Sequence, residues 1–329
     1  MATPLDVIPP SRPTANLRWR MAQAISLTLL ASLVIGLLAR PEPTLHVLWN
    51  IVLPLLPASL LVSPALWRGI CPLATLNTLP NGLMARRSLT VKWAPVAGTI
   101  GVVLLALLVP ARRFLFNTDG MALAALILAV AVAAVLLGAF YDMKAGFCNS
   151  ICPILPVERL YGQAPLARFA NPRCPDCTLC TPRGCIDLSP SKSVAQTLGP
   201  RRRSHAWLFS FFGVFAGAFP GFVLGYFTRQ DVPFAAAGSV YLAVGLMAAG
   251  SYAITVVVVH LLRLEFNLAL SILGAAAAGL YYWFAAPALA EALGLGPSLA
   301  LGIRIAALAL AAIWLARAVQ RPSPMAAAA

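Results

Sequence analysis

Long apolar stretches alternate with short polar ones along most of this chain. A membrane-spanning helix needs about 20 mainly apolar residues. Eight stretches meet that requirement, at 21–39, 45–67, 93–111, 121–141, 206–228, 234–262, 266–288 and 298–316. The first resembles a secretory leader in its position. Asp6, a proline-rich start and the lack of a small-residue cleavage site favour a retained helix. The pattern therefore predicts an all-α polytopic bundle of about eight helices. Segment 1–20 precedes it and 317–329 forms a tail. The one long polar segment, 142–205, separates a half at 21–141 from a half at 206–316.

Composition agrees with this reading. Of the 329 residues, 60% are hydrophobic and 10% charged, with a mean hydropathy of +0.84, whereas soluble domains carry about 25% charged residues. The net charge of +14 raises nucleic acid as a partner. However, most of the basic residues flank apolar stretches, where the positive-inside rule accounts for them. With both termini on one side, 19 of the 24 lysines and arginines fall on that side. Only Arg40, Arg112, Arg113 and Arg229 lie on the other, and Arg304 is within the last span. That bias places both termini and segment 142–205 in the cytoplasm, with the chain multi-pass in the inner membrane. The Arg112–Arg113 pair is discordant. No Asp, Glu or Lys lies inside an expected span, which argues against a pump or an ion-coupled transporter. Walker loops, dinucleotide fingerprints and nucleophile elbows are absent.

Six of the seven cysteines fall between positions 148 and 185. In a reducing compartment such clustering points to metal or redox chemistry rather than disulfides. The strongest motif is Cys174-Pro-Asp-Cys177-Thr-Leu-Cys180-Thr-Pro-Arg-Gly-Cys185. Thiolates are the ligands of iron–sulfur clusters, and the compressed run suits one [4Fe–4S] cluster. A four-cysteine zinc site remains the alternative, although zinc modules usually present two separated pairs. Arg173, Arg183, Lys192 and Arg201–Arg203 surround the loop, where they would offset the cluster's negative charge or dock an acidic electron donor.

A second motif, Gly146-Phe-Cys148-Asn-Ser-Ile-Cys152-Pro153, spaces two thiols one helical turn apart. Ile70-Cys71-Pro72-Leu73 precedes Ile151-Cys152-Pro153-Ile154 by 81 positions, the mark of a parallel repeat of two hairpins. Cys71, Cys148 and Cys152 are thus candidates for a second metal or redox site, with simple packing of free thiols as the plain alternative. A haem on His46, His205 and His260 is not favoured, although His205 and His260 share one side. Arg304 is expected to snorkel outward.

These motifs resemble those of the polytopic iron–sulfur membrane proteins of anaerobic respiration, the NapH/NosR/CcoG-like polyferredoxin group. The matching residues are Cys148–Pro153, Tyr161-Gly162 and Cys174–Cys185, with a weaker match at Trp67–Pro72; the resemblance covers about 45–190. Trp67 stands where a leading cysteine is expected, only one cluster run is present, and its last gap is wider. The resemblance implies membrane electron transfer with a redox partner protein or subunit, or with quinone. It does not imply a particular respiratory pathway. The alternatives are a zinc- or copper-binding assembly factor for a respiratory complex and a scaffold whose metal only folds the loop.

Overall fold

The computed structural model describes residues 17–80, 87–167, 190–294 and 296–320. The motif Cys174–Cys185 lies outside the described residues. Among those described the secondary structure is helical, with a single isolated bridge between Arg87 and Tyr141. In chain order the helices are α1 (Leu17–Ala39), α2 (Pro41–Val62), α3 (Pro64–Ile70), α4 (Pro72–Thr78), α5 (Ala94–Phe116), α6 (Gly120–Phe140) and α7 (Leu155–Tyr161). They continue with α8 (Pro190–Leu198), α9 (Phe211–Phe227), α10 (Ala237–Leu261), α11 (Phe266–Ala292) and α12 (Pro297–Val319). Among the described residues seven helices are long and apolar enough to cross a membrane: α1, α2, α5, α6, α10, α11 and α12. Their apolar outer faces, including Leu29, Ile35, Leu128, Leu246 and Ile305, are exposed, as lipid-facing surfaces are.

The fifth expected span, 206–228, is the shorter helix α9, with 17 residues. It starts at Phe211, because Ser210 caps it and the preceding His205–Phe209 is a 3-10 turn. The second expected span ends early, at Val62 rather than 67. Pro64 forces Ser63 into an extended conformation (φ −164°, ψ 107°), and the Ser63 hydroxyl then accepts from the Leu66 N–H to start α3.

Prolines in the spans leave carbonyls without their usual donors, and side chains from other helices supply the missing bonds. Trp283 O would normally receive the N–H of position 287, which is a proline. Instead Arg304 Nε on α12 donates to it at 2.8 Å, and its guanidinium lies 4.7 Å from the Trp283 ring. The arginine expected to snorkel is thus bound to its neighbouring helix. In α2, which contains Pro54 and Pro57, the Tyr282 hydroxyl accepts from Ala58 N and donates to Pro54 O, both at 2.8 Å. An unbroken helix would join those two backbone groups directly.

The halves meet around a core that includes Leu60, Leu160, Trp207, Phe212, Leu270 and Trp314. Helices α9 and α10 pack at backbone distance: a Cβ on Gly221 would sit 2.1 Å from Met247 O. Gly213, Gly217, Gly221 and Gly225 follow the four-residue spacing that permits such approach. At the end of the molecule opposite Cys71 and Cys152, Arg113 pairs with Asp231 at 3.0 Å and lies 4.6 Å from the Tyr226 ring. Arg112 donates to the Tyr226 hydroxyl at 2.9 Å and stacks on Trp49. The two discordant arginines are therefore held by structural partners between the halves.

Candidate functional site

Proline shapes both ends of the repeat in the same way. A residue before proline is driven out of the helical region, and proline then suits the first turn of the next helix. Cys71 has φ −59° and ψ 124°; Cys152 has φ −58° and ψ 125°. Each closes one helical segment and opens another: α3 into α4, and the π-turn Phe147–Ile151 into the turn before α7. The two junctions, 81 residues apart, thus share one backbone conformation, the one favoured before proline.

The folded chain brings Cys71, Cys148 and Cys152 into one apolar cluster with Ala74, Ala134, Leu137 and Phe147. Cys148 is buried and the other two are half-buried. Asn77 fixes the approach of the second motif. Its Oδ1 accepts from Phe147 N at 3.0 Å and its Nδ2 donates to Met143 O at 2.9 Å. Position 138 must be glycine for this packing, since a Cβ there would lie 1.9 Å from Asn77 O.

Buried charge lies beside the thiols. Arg68 on α3 donates from Nε to Glu158 Oε2 at 2.7 Å, from Nη2 to Cys148 O at 3.0 Å, and from Nη1 to Asn149 Oδ1. Arg68, Glu158 and Arg159 are each at most 4% exposed. Arg68 and Arg159 thus lie beside Glu158 in the interior, where Asp142 is a second buried carboxylate among the described residues. Nε and Nη2 of Arg159 have no hydrogen-bond partner among the described residues. Burial, and after it the neighbouring Arg68 charge, lower the Arg159 pKa to about 10 against the opposing effect of Glu158. Burial raises all three thiols, that of Cys152 to about 12, while the Arg68 charge acts in the opposite direction on each. The N–H groups of Leu73 and Ala74 also favour the Cys71 thiolate, without forming a side-chain cap.

This charged group was not legible as a site. Arg68 reads as one more positive-inside charge. The signal that could have found it is the repeat itself, because Arg68 and Asn149 are 81 positions apart and bond to each other. In the same alignment Trp67 matches Cys148, and Asn77 matches Glu158.

The described residues flanking the main cysteine loop end beside this group. Before it, Leu166 N and Ala167 N donate to Leu61 O and Val62 O at 3.1 and 2.8 Å. After it, Pro190 packs on Gly162, which also meets Pro64. Cys174, Cys177, Cys180 and Cys185 themselves lie outside the described residues. Among the described residues no three or more His, Cys, Asp or Glu side chains are arranged to hold a metal ion. The Cys71, Cys148 and Cys152 thiols are suitable donors, but they do not form a closed ligand set.

A cavity of about 280 Å3 lies between the halves, with Pro153, Val157 and Tyr161 at the cysteine end and Trp49, Arg112 and Tyr226 at the other. His205 and His260 do come together, with ring centroids 4.6 Å apart in an edge-to-face contact. Their direct contact leaves no room for a haem between the rings. His46 is bound to Asn50 at 3.1 Å in α2. No protein-family model matches the chain, and no curated protein or solved structure matches it either.

Proposed function

We propose that the chain is a membrane-bound electron-transfer protein, with one [4Fe–4S] cluster held by Cys174, Cys177, Cys180 and Cys185 at the cytoplasmic face. It would exchange electrons with a quinone pool or with a partner redox subunit. The carrying observation is the convergence of Cys71, Cys148 and Cys152 on buried Arg68, which also lies beside Glu158 and Arg159, near the flanks of the cluster loop. Buried Arg159, whose Nε and Nη2 have no hydrogen-bond partner among the described residues, favours an anionic neighbour such as a thiolate-bound cluster. When bound, the cluster supplies one-electron transfer. Arg68 would hold the second cysteine motif in place through Cys148 O and Asn149, while the apolar cavity beneath Pro153 offers room for the ring of a quinone. The skew of basic residues supports cytoplasmic termini and an inner-membrane location.

The deciding experiment is iron and acid-labile sulfide analysis of anaerobically purified protein, with electron paramagnetic resonance before and after dithionite. About four of each per chain, with a signal on reduction, is the expected result. Cys177→Ser is expected to remove that signal, and full iron retention in this variant would overturn the ligand assignment. Close to eight of each would extend the proposal to a second cluster at Cys71, Cys148 and Cys152.

One observation favours a second reading. Cys71, Cys148 and Cys152 gather without a closed ligand geometry among the described residues, and burial makes each thiolate costly, so a metal bound there would be held weakly and released readily. A zinc- or copper-handling assembly factor for a respiratory complex fits that state. Stoichiometric zinc without visible absorption would support it.

A further inference from the structure

A second polar feature lies away from the cysteines. A cavity of about 680 Å3 is lined by Arg202, Arg203, His205, Trp207, Arg263 and the first residues of α11. Glu265 is the one carboxylate among its lining residues. Phe266 and Asn267 begin a 27-residue helix, so their N–H groups lack intrahelical partners and add the positive end of its dipole. His205 is backed by the His260 ring at 4.6 Å, and His260 Nδ1–H donates to Val256 O at 2.8 Å. Arg263 adopts φ +48°, a left-handed conformation uncommon outside glycine, in the turn that joins α10 to α11.

Three arginines, a histidine and a helix start around one cavity are the chemistry of a phosphate site. The surroundings distinguish a lipid phosphate from a soluble one. Leu261 and Leu262, next in the chain to the lining residue Arg263, are exposed, and Ile254 and Val257 continue an exposed apolar surface along α10. A headgroup seated among the arginines would leave its acyl chains on that surface. We propose that this cavity binds the phosphate headgroup of an anionic phospholipid, independently of any electron-transfer role.

The test uses the full-length protein in nanodiscs containing phosphatidylglycerol and phosphatidylcholine, with retained lipids counted by native mass spectrometry. The wild type is expected to retain one phosphatidylglycerol selectively. Each juxtamembrane arginine contributes about fivefold in affinity, so R203Q/R263Q should bind roughly 25-fold more weakly. Both side chains are exposed, and circular dichroism of the variant checks its folding. R40Q/R229Q, at the opposite end, controls for total charge and should retain lipid as the wild type does. Equal retention by all three proteins would overturn the proposal. Displacement of the lipid by millimolar inorganic phosphate would assign the cavity to a soluble anion and overturn the lipid assignment.

Discussion

At the scale of the residue, Arg68 carries more of the site than its place in the sequence suggests. It links both repeat halves by bonding to Asn149, Cys148 O and Glu158. Removing one partner of a buried ion pair costs about 3–5 kcal/mol, because the other charge is left unpaired. Arg68→Leu is therefore expected to lower the thermal midpoint in detergent sharply. Arg68→Lys should recover only part of the loss, because an ammonium cannot reproduce the planar fork. The thiols give a second prediction. Metal-free folded protein at pH 8 should resist alkylation at Cys148 and Cys152, whereas denatured protein should react at both. Because the folded thiols hold their protons above the ordinary value of 9.0, the unfolded chain ionises first. Stability of the metal-free protein should fall as pH rises above about 9 towards the Cys152 value of about 12. A series of unfolding midpoints against pH checks the sign.

At the scale of the element, hydropathy foretold most of the bundle but not its joints. Apolar runs located the helices because lipid requires a length and a composition, both written locally. Ser63–Pro64 and Ser210 cut two of them shorter than hydropathy indicates, since a cap outranks an apolar run. The Cys-Pro junctions were legible because the conformation before proline is a local property. The Asn77 bonds and the Arg68 network were not, because each joins segments 66 to 90 residues apart. The four-residue glycine stripe of α9 was legible in principle and went unread. Gly221→Leu should force α9 and α10 apart and cost about 1–3 kcal/mol through overpacking, measured as a fall in the unfolding midpoint. Arg304→Leu should leave Trp283 O without its donor, at a cost of about 1–3 kcal/mol in the same assay.

At the scale of the whole molecule, the two halves are fastened at both ends by unlike means. The cysteine end uses packed apolar side chains, Leu60 and Leu160 in one core with Trp207, Leu270 and Trp314. The opposite end uses Arg113–Asp231, in which the carboxylate is 42% exposed. Such a pair is worth about 0–1 kcal/mol, so Asp231→Asn should shift the midpoint little, and less still in high salt. The candidate site belongs to this scale. Its cysteines were visible one by one, but their gathering around Arg68 follows from contacts between segments 80 and 81 residues apart.

The Tyr282 hydroxyl bears on how the protein is made. It completes the backbone of α2 from a position 228 residues later in the chain than Pro54. While the ribosome is still translating the second half, α2 already occupies the bilayer with Ala58 N–H and Pro54 O lacking their final partner. Those groups must join each other directly, or hold a water, until α11 arrives. The first half is therefore an unfinished object during synthesis. A chain truncated after α9 would be expected to present that unsatisfied seam to membrane quality control, whereas co-expression of the missing helices as a separate polypeptide would be expected to close it.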